Sequence, residues 1–190
     1  LLTEPYPVGI TTITWTVTDI NGNAAVAVTQ TVTVTDNQVP VITTSGAITT
    51  NNTPGLCSAN VSVTAATADD NCGVGSPTGV RSDGLPLGNP YPVGVTTITW
   101  NVMDINGNPA VAATQTVTVT DNEAPVITTS GPLTANNTPG LCSAIVSVTP
   151  ATATDNCAVQ GVPTGVRSDG LALTDPYPVG VTTIMWNVSD

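Results

Sequence analysis

The chain has no histidine, no phenylalanine and no lysine. Its only cationic side chains are Arg81 and Arg167. Against thirteen acids they leave a net charge of −11. Nothing here could neutralise a phosphate backbone, so nucleic acid is not expected as a partner. The same shortage disfavours anionic lipid. Without histidine there is no Ser–His or Cys–His pair, and no lysine-bearing phosphate loop exists, so no enzyme is expected. The absence of lysine also excludes Lys–Asn isopeptide cross-links. Charged residues are 8% and aromatic residues 3% of the chain, against about a quarter charged in an average protein. So sparse a composition borders on that of disordered chains. A mean hydropathy of +0.22 and abundant Val, Ile, Thr and Ala argue instead for folded strands. No apolar run reaches the roughly 18 residues of a membrane span, and no signal peptide is visible.

What the chain does have is a period. DNQVPVITTSG at 36–46 returns as DNEAPVITTSG at 121–131, and NNTPGLCSA at 51–59 returns at 136–144. PYPVG occurs at 5–9, 90–94 and 176–180, and Trp15, Trp100 and Trp186 recur with it. The unit is about 85 residues, long enough for a core of its own, unlike the 20–45 residues of a solenoid repeat. Residues 1–35 read as the C-terminal part of one repeat, 36–120 as a complete repeat, and 121–190 as the N-terminal part of a third. A longer parent chain is therefore expected.

Within one unit, apolar and polar residues alternate with the period of a strand. Cys57, Ala59, Val61 and Val63 face one way, with Ser58, Asn60 and Ser62 opposite. Ile98, Trp100 and Val102 share a face, as do Val111, Ala113, Val117 and Val119, with threonines on the reverse. Asn106-Gly107 predicts a hairpin between two such runs. Pro54-Gly55, Asp83-Gly84 and Pro92-Val93-Gly94 predict further turns. No helical period appears. The expected fold is all-β: tandem immunoglobulin-like β-sandwich domains. The joint Asp121–Pro125 is too short for a loose tether, so an extended, fairly stiff rod is expected.

On these segments the chain resembles the hyalin repeat (HYR) family. The matching motifs are DNxxPVIT, GLCSAxVSVT, DNC, YPVGVTTITW, the aspartate-then-NGN hairpin and the closing TVTVTD. The resemblance covers the whole chain, once in full and twice in part. It implies an Ig-like sandwich of extracellular adhesive proteins or of long bacterial surface adhesins, and the Thr-rich, Lys-free composition is similar to the bacterial kind. The family often carries four cysteines per unit. Two of those positions here are Thr44 and Ala113, with Thr129 in the next copy.

Each unit keeps two cysteines. Cys57 lies on the inward face of a strand and Cys72 follows the next turn; Cys142 and Cys157 repeat them. CxxC spacing and histidine are absent, which disfavours a metal site. Disulfides within each unit are therefore expected, Cys57–Cys72 and Cys142–Cys157. Such bonds imply an extracellular or cell-surface location.

Acidic motifs also recur: the linker residues Asp36 and Asp121; the turns Asp69-Asp70-Asn71 and Asp155-Asn156; and the hairpin residues Asp104, Asn106 and Asn108, with Asp190 the counterpart of Asp104. In an Ig-like order all three motifs meet at one pole. Oxygen ligands from several loops are what Ca²⁺ needs. Ordinary turn capping by Asp and Asn explains the same residues without a metal, so both readings stand at this point.

Arg81 and Arg167 are read as local partners of Asp83 and Asp169. Trp100 and its copies are read as core. The chain is thus expected to be a structural or adhesive repeat segment, a stalk or filament. Its expected partners are neighbouring repeats, and identical chains or a surface glycan or protein are further candidates. The alternatives are a carbohydrate- or protein-binding module, or an accessory region of a secreted enzyme.

Overall fold

A computed structural model describes residues 3–190. The described residues form sixteen short strands and no helix, so the expected all-β class is borne out. The largest sheet has four strands in the order Ile48–Asn51, Ala113–Thr120, Gly94–Asn101, Thr78–Arg81. The others are two-stranded and, where paired, antiparallel.

By contact the chain forms two compact units. They interleave along the sequence, because strands far apart in the chain pair with one another. One unit comprises the chain up to Ala47 with Ser62–Asn89 and Thr96–Val117; the other comprises Ile48–Val61, Pro90–Val95 and Thr118–Asp190.

In the first unit, Gly9–Trp15 pairs along its whole length with Val28–Val34, from Gly9↔Val34 to Trp15↔Val28. Val41–Thr43 pairs with Thr67–Asp69, and Thr78 to Arg81 lie opposite Asn101 to Ile98. The strand Gly94–Asn101 buries Thr96, Ile98 and Trp100, as its alternation predicts. Trp100 is pinned by a buried hydrogen bond, its indole Nε1–H donating to Gln115 Oε1 at 3.1 Å. The Gln115 amide donates in turn to Ser45 Oγ (2.9 Å) and the Gly46 carbonyl (2.8 Å). The amide thus meets the rule that a buried polar group finds partners.

In the second unit, Ser58–Ala59 pairs with Tyr91–Pro92 and Ser143–Ala144 with Tyr177–Pro178. Val126–Thr128 pairs with Thr152–Thr154. Gln160–Arg167 pairs with Ile184–Ser189 across a register shift between Gln160 and Thr164, a bulge of the kind that bends a strand.

Several expectations are corrected. Only Ser58–Ala59 of the expected strand 57–63 is laddered. Burial alternates from Ala59 on, with Ala59, Val61 and Val63 covered and Asn60 and Ser62 exposed, but Cys57, expected on the inward face, precedes the strand and is exposed, and Ser58 is half-buried. Val111 is 82% exposed, because the strand starts only at Ala113. The inward position that the apolar pattern passes over is taken by Gln115, which is buried. Of the three tryptophans, Trp100 is core, whereas Trp15 is 45% exposed and Trp186 is half-buried. Trp15 lies on a sheet of only two strands.

Candidate functional site

The hairpin at Asp104 is organised by its carboxylate. Asp104 Oδ1 accepts the N–H groups of Asn106 (2.9 Å) and Asn108 (2.8 Å), and Oδ2 accepts from Asn108 Nδ2 (2.7 Å). Gly107 takes φ +95° at the tip, which a side chain would resist. Burial of Asp104 pushes its pKa up, but the Asn108, Asn106 and Gly107 donors outweigh it and hold the carboxyl below its usual range. The equivalent hairpin at Asp19 has the same bonds from Asn21 and Asn23, and the Asn23 donors lower the Asp19 pKa.

Asp36 joins this hairpin from the linker: Asn106 Nδ2 donates to Asp36 Oδ2 (2.9 Å) and Asn108 Nδ2 to the Asp36 carbonyl (3.3 Å). Asp70 arrives from the turn after Thr67–Asp69, its Oδ1 accepting the Cys72 N–H at 2.9 Å. One carboxylate oxygen from each of Asp36, Asp70 and Asp104 lies within 4.8 Å of the others. Asp70 Oδ2 is buried and has no hydrogen-bond partner. Three acids from three separate segments thus meet as their recurrence predicted. Asp69 is exposed at the strand end opposite Val41 and stays outside the group. Asn71 is exposed, with Nδ2 on Cys72 Sγ at 3.2 Å. Burial, then Asp36, pushes the Cys72 thiol pKa up.

The second copy of this arrangement is thinner. Asp121 and Asp155 group with Cys157 rather than with a third carboxylate. Asp190, the counterpart of Asp104, is exposed and outside the group. Asn156 Nδ2 donates to the Leu56 carbonyl at 3.1 Å and contacts Cys157 Sγ at 3.4 Å, while its Oδ1 is buried without a partner.

The cysteines depart from expectation. Cys57 is bonded to Cys157, 100 residues away, with Cα atoms 4.6 Å apart, and Cys72 and Cys142 are free. Neither intra-repeat pair, Cys57–Cys72 or Cys142–Cys157, forms. The reason is a clasp around the turn that carries Cys57. Glu123 Oε1 accepts the Gly55 N–H (2.6 Å) and Asn52 Nδ2 (3.2 Å), and the Asn122 N–H donates to Asn52 Oδ1 (3.2 Å). With Asn156 on Leu56, these bonds deliver Cys157 to Cys57. Of the clasp residues, Asn156 was among the recurring turn residues, whereas Asn52 and Glu123 were not singled out by sequence reasoning. The available signal was the acid at 123 where the earlier copy has Gln38.

Both arginines are buried rather than surface partners. Arg81 Nε donates to Asp83 Oδ1 (2.9 Å), and its Nη1 donates to the carbonyls of Pro86 (3.1 Å) and Asn89 (2.7 Å). Arg167 does the same to the carbonyls of Ala172 and Asp175, pairs with Asp169, and lies 3.7 Å over the Tyr177 ring. Each guanidinium therefore ties a loop shut, which only a planar multi-donor group does well.

The described residues thus form a Thr/Val-rich, all-β repeat closed by one long-range disulfide. The chain matches the HYR domain over residues 35–119. It is 36% identical over 97% of its length to "Hyalin" of Strongylocentrotus purpuratus, and 35% identical over 98% of its length to "Hyalin" of Lytechinus variegatus. It spans only 15% and 35% of those two proteins. No solved structure matches it.

Proposed function

We propose that the chain is a structural, adhesive segment of a secreted or cell-surface protein, and that Asp36, Asp70 and Asp104 hold a Ca²⁺ ion. The HYR match, the two hyalin relatives and the disulfide support the extracellular, adhesive reading. Threonine-lined outer faces and repeated modules suit a stalk or filament. The calcium reading rests on one observation: three carboxylates from the linker, the turn and the hairpin converge, and the buried Asp70 Oδ2 has no other partner. Asn106 and Asn108 stand beside them, and rotation of their amides would present oxygen in place of nitrogen. An oxygen-only, flexible set of this kind suits a hard cation.

Thermal unfolding of the chain in Ca²⁺ and in EDTA tests it. Tm rises in Ca²⁺, and the rise is lost in Asp70→Asn. Equal Tm in both conditions removes calcium from the account. For the stalk, electron microscopy of the natural protein should show thin fibres, and isolated compact particles would count against it.

A further inference from the structure

The observed disulfide joins unlike positions of the repeat. Cys57 is the first cysteine of its copy and Cys157 is the second cysteine of the next. The two free cysteines are the complementary halves: Cys72 is a second cysteine and Cys142 a first.

Both free cysteines sit in the frame of their bonded counterparts. Around Cys57, Thr53 N–H donates to Ser58 O (2.8 Å), Leu56 N–H to Thr53 O (2.9 Å) and Val93 N–H to Cys57 O (3.3 Å). Around Cys142 the equivalent bonds are Thr138 to Ser143 (2.9 Å), Leu141 to Thr138 (2.9 Å) and Val179 to Cys142 (3.1 Å). Asn52 Nδ2 reaches Leu56 O at 3.0 Å, and Asn137 Nδ2 reaches Leu141 O at 2.8 Å. On the other side, the N–H groups of Cys72 and Cys157 donate to Asp70 and Asp155, each at 2.9 Å, and Asn71 and Asn156 each point Nδ2 at the following sulfur. Cys142 is exposed, as a thiol awaiting a partner should be.

We infer that every repeat is covalently stapled to its neighbour: Cys72 pairs with the first cysteine of the copy before it, and Cys142 with the second cysteine of the copy after it. The partner is a further copy of this repeat in the same polypeptide. Each link forms when two thiols give up two protons and two electrons to an oxidised disulfide carrier, which leaves as its dithiol. The carrier is a thiol–disulfide oxidoreductase or a small-molecule disulfide.

The staples overlap. The loop closed by Cys57–Cys157 ends after Cys142, where the next loop begins. A pulling force therefore crosses each staple and steps back from Cys157 to Cys142, so only that short stretch can extend. At roughly 3.3–3.6 Å per extended residue, the slack per repeat falls from about 300 Å to about 50 Å. The array would extend by no more than that slack even where its domains unfold.

The test uses the natural protein, alkylated before digestion without reductant and mapped by mass spectrometry. LCSAN and LCSAI distinguish Cys57 from Cys142, and NCGV and NCAV distinguish Cys72 from Cys157. Cys57–Cys157 is expected, with Cys72 and Cys142 each bonded to a neighbouring copy. Alkylated Cys72 or Cys142, intra-repeat links, or links between separate chains overturn the inference. As a second readout, single-molecule pulling should show extension per repeat rising about six-fold on adding reductant; unchanged extension also overturns it. The inference rests on the extracellular, tandem-repeat reading but not on calcium. A protein wholly reduced where it is found would sink both, whereas oxidised protein with intra-repeat links sinks only the staple.

Discussion

Gly79 lies flat against the ring of Trp100: a Cβ at position 79 would stand 2.9 Å from the ring carbon Cζ3. The strands carrying them are in direct register, Gly79 opposite Trp100. The contact recurs between Gly165 and Trp186. Gly79→Ala must displace a buried indole, an overpacking cost of about 1–3 kcal/mol. Urea unfolding should show that loss. Gly88→Ala, where nothing lies within 4 Å, stays within about 1 kcal/mol of the parent. Equal effects at the two sites would refute the packing argument.

Gln115→Leu keeps the volume but strips the polar links. The Trp100 indole N–H and the Gly46 carbonyl lose the Gln115 amide. About 1–3 kcal/mol is expected for each buried group left without a partner. A variant as stable as the parent in urea would show that water replaces the amide.

Asp83 sets an acid limb to stability. The Arg81 hydrogen bond, opposed by burial and aided by the Leu85 N–H, lowers its pKa. A depressed folded pKa means the contribution is complete above the unfolded value, about 3.9. It is lost as pH falls below that through the folded value. Asp169 behaves alike through Arg167. Unfolding free energy measured from pH 5 down to pH 2 should fall less steeply in Asp83→Asn than in the parent.

Cys57→Ser opens a loop of 100 residues. The chain-entropy model assigns a loop of that length about 4.7 kcal/mol. The variant should melt lower than the parent under non-reducing conditions. It should also show a third thiol, Cys157, in addition to Cys72 and Cys142. A titration of one thiol would mean that Cys157 had paired with Cys72 or Cys142 instead.

Much of this was legible in the chain. Strand alternation at 95–102 and the Asn106-Gly107 turn need only neighbours two to four residues away, and both are found as read. The meeting of Asp36, Asp70 and Asp104 was legible from recurrence combined with an Ig-like strand order. Asp69 and Asn71 share the composition of that group but not its place, because a one-residue step along the chain on either side of Asp70 turns the side chain away.

The buried arginines were not legible. VRSDG reads as a turn with a local Arg–Asp pair, and that pair forms, yet Arg81 also reaches the carbonyls of Pro86 and Asn89. Whether a cation stays at the surface depends on how the following loop folds back, and that loop carries no apolar pattern to announce it.

By itself the chain determined the repeat length, the all-β class, which face of each long strand is apolar, and which acids recur together. These are local, periodic properties, fixed by side-chain alternation and turn chemistry. Only the tertiary structure decided which sulfurs bond. Cys72 is the nearer partner along the chain, but a disulfide needs Cα atoms a few ångströms apart. That proximity was granted to Cys157 by Glu123 and Asn156 closing on the turn at 52–57.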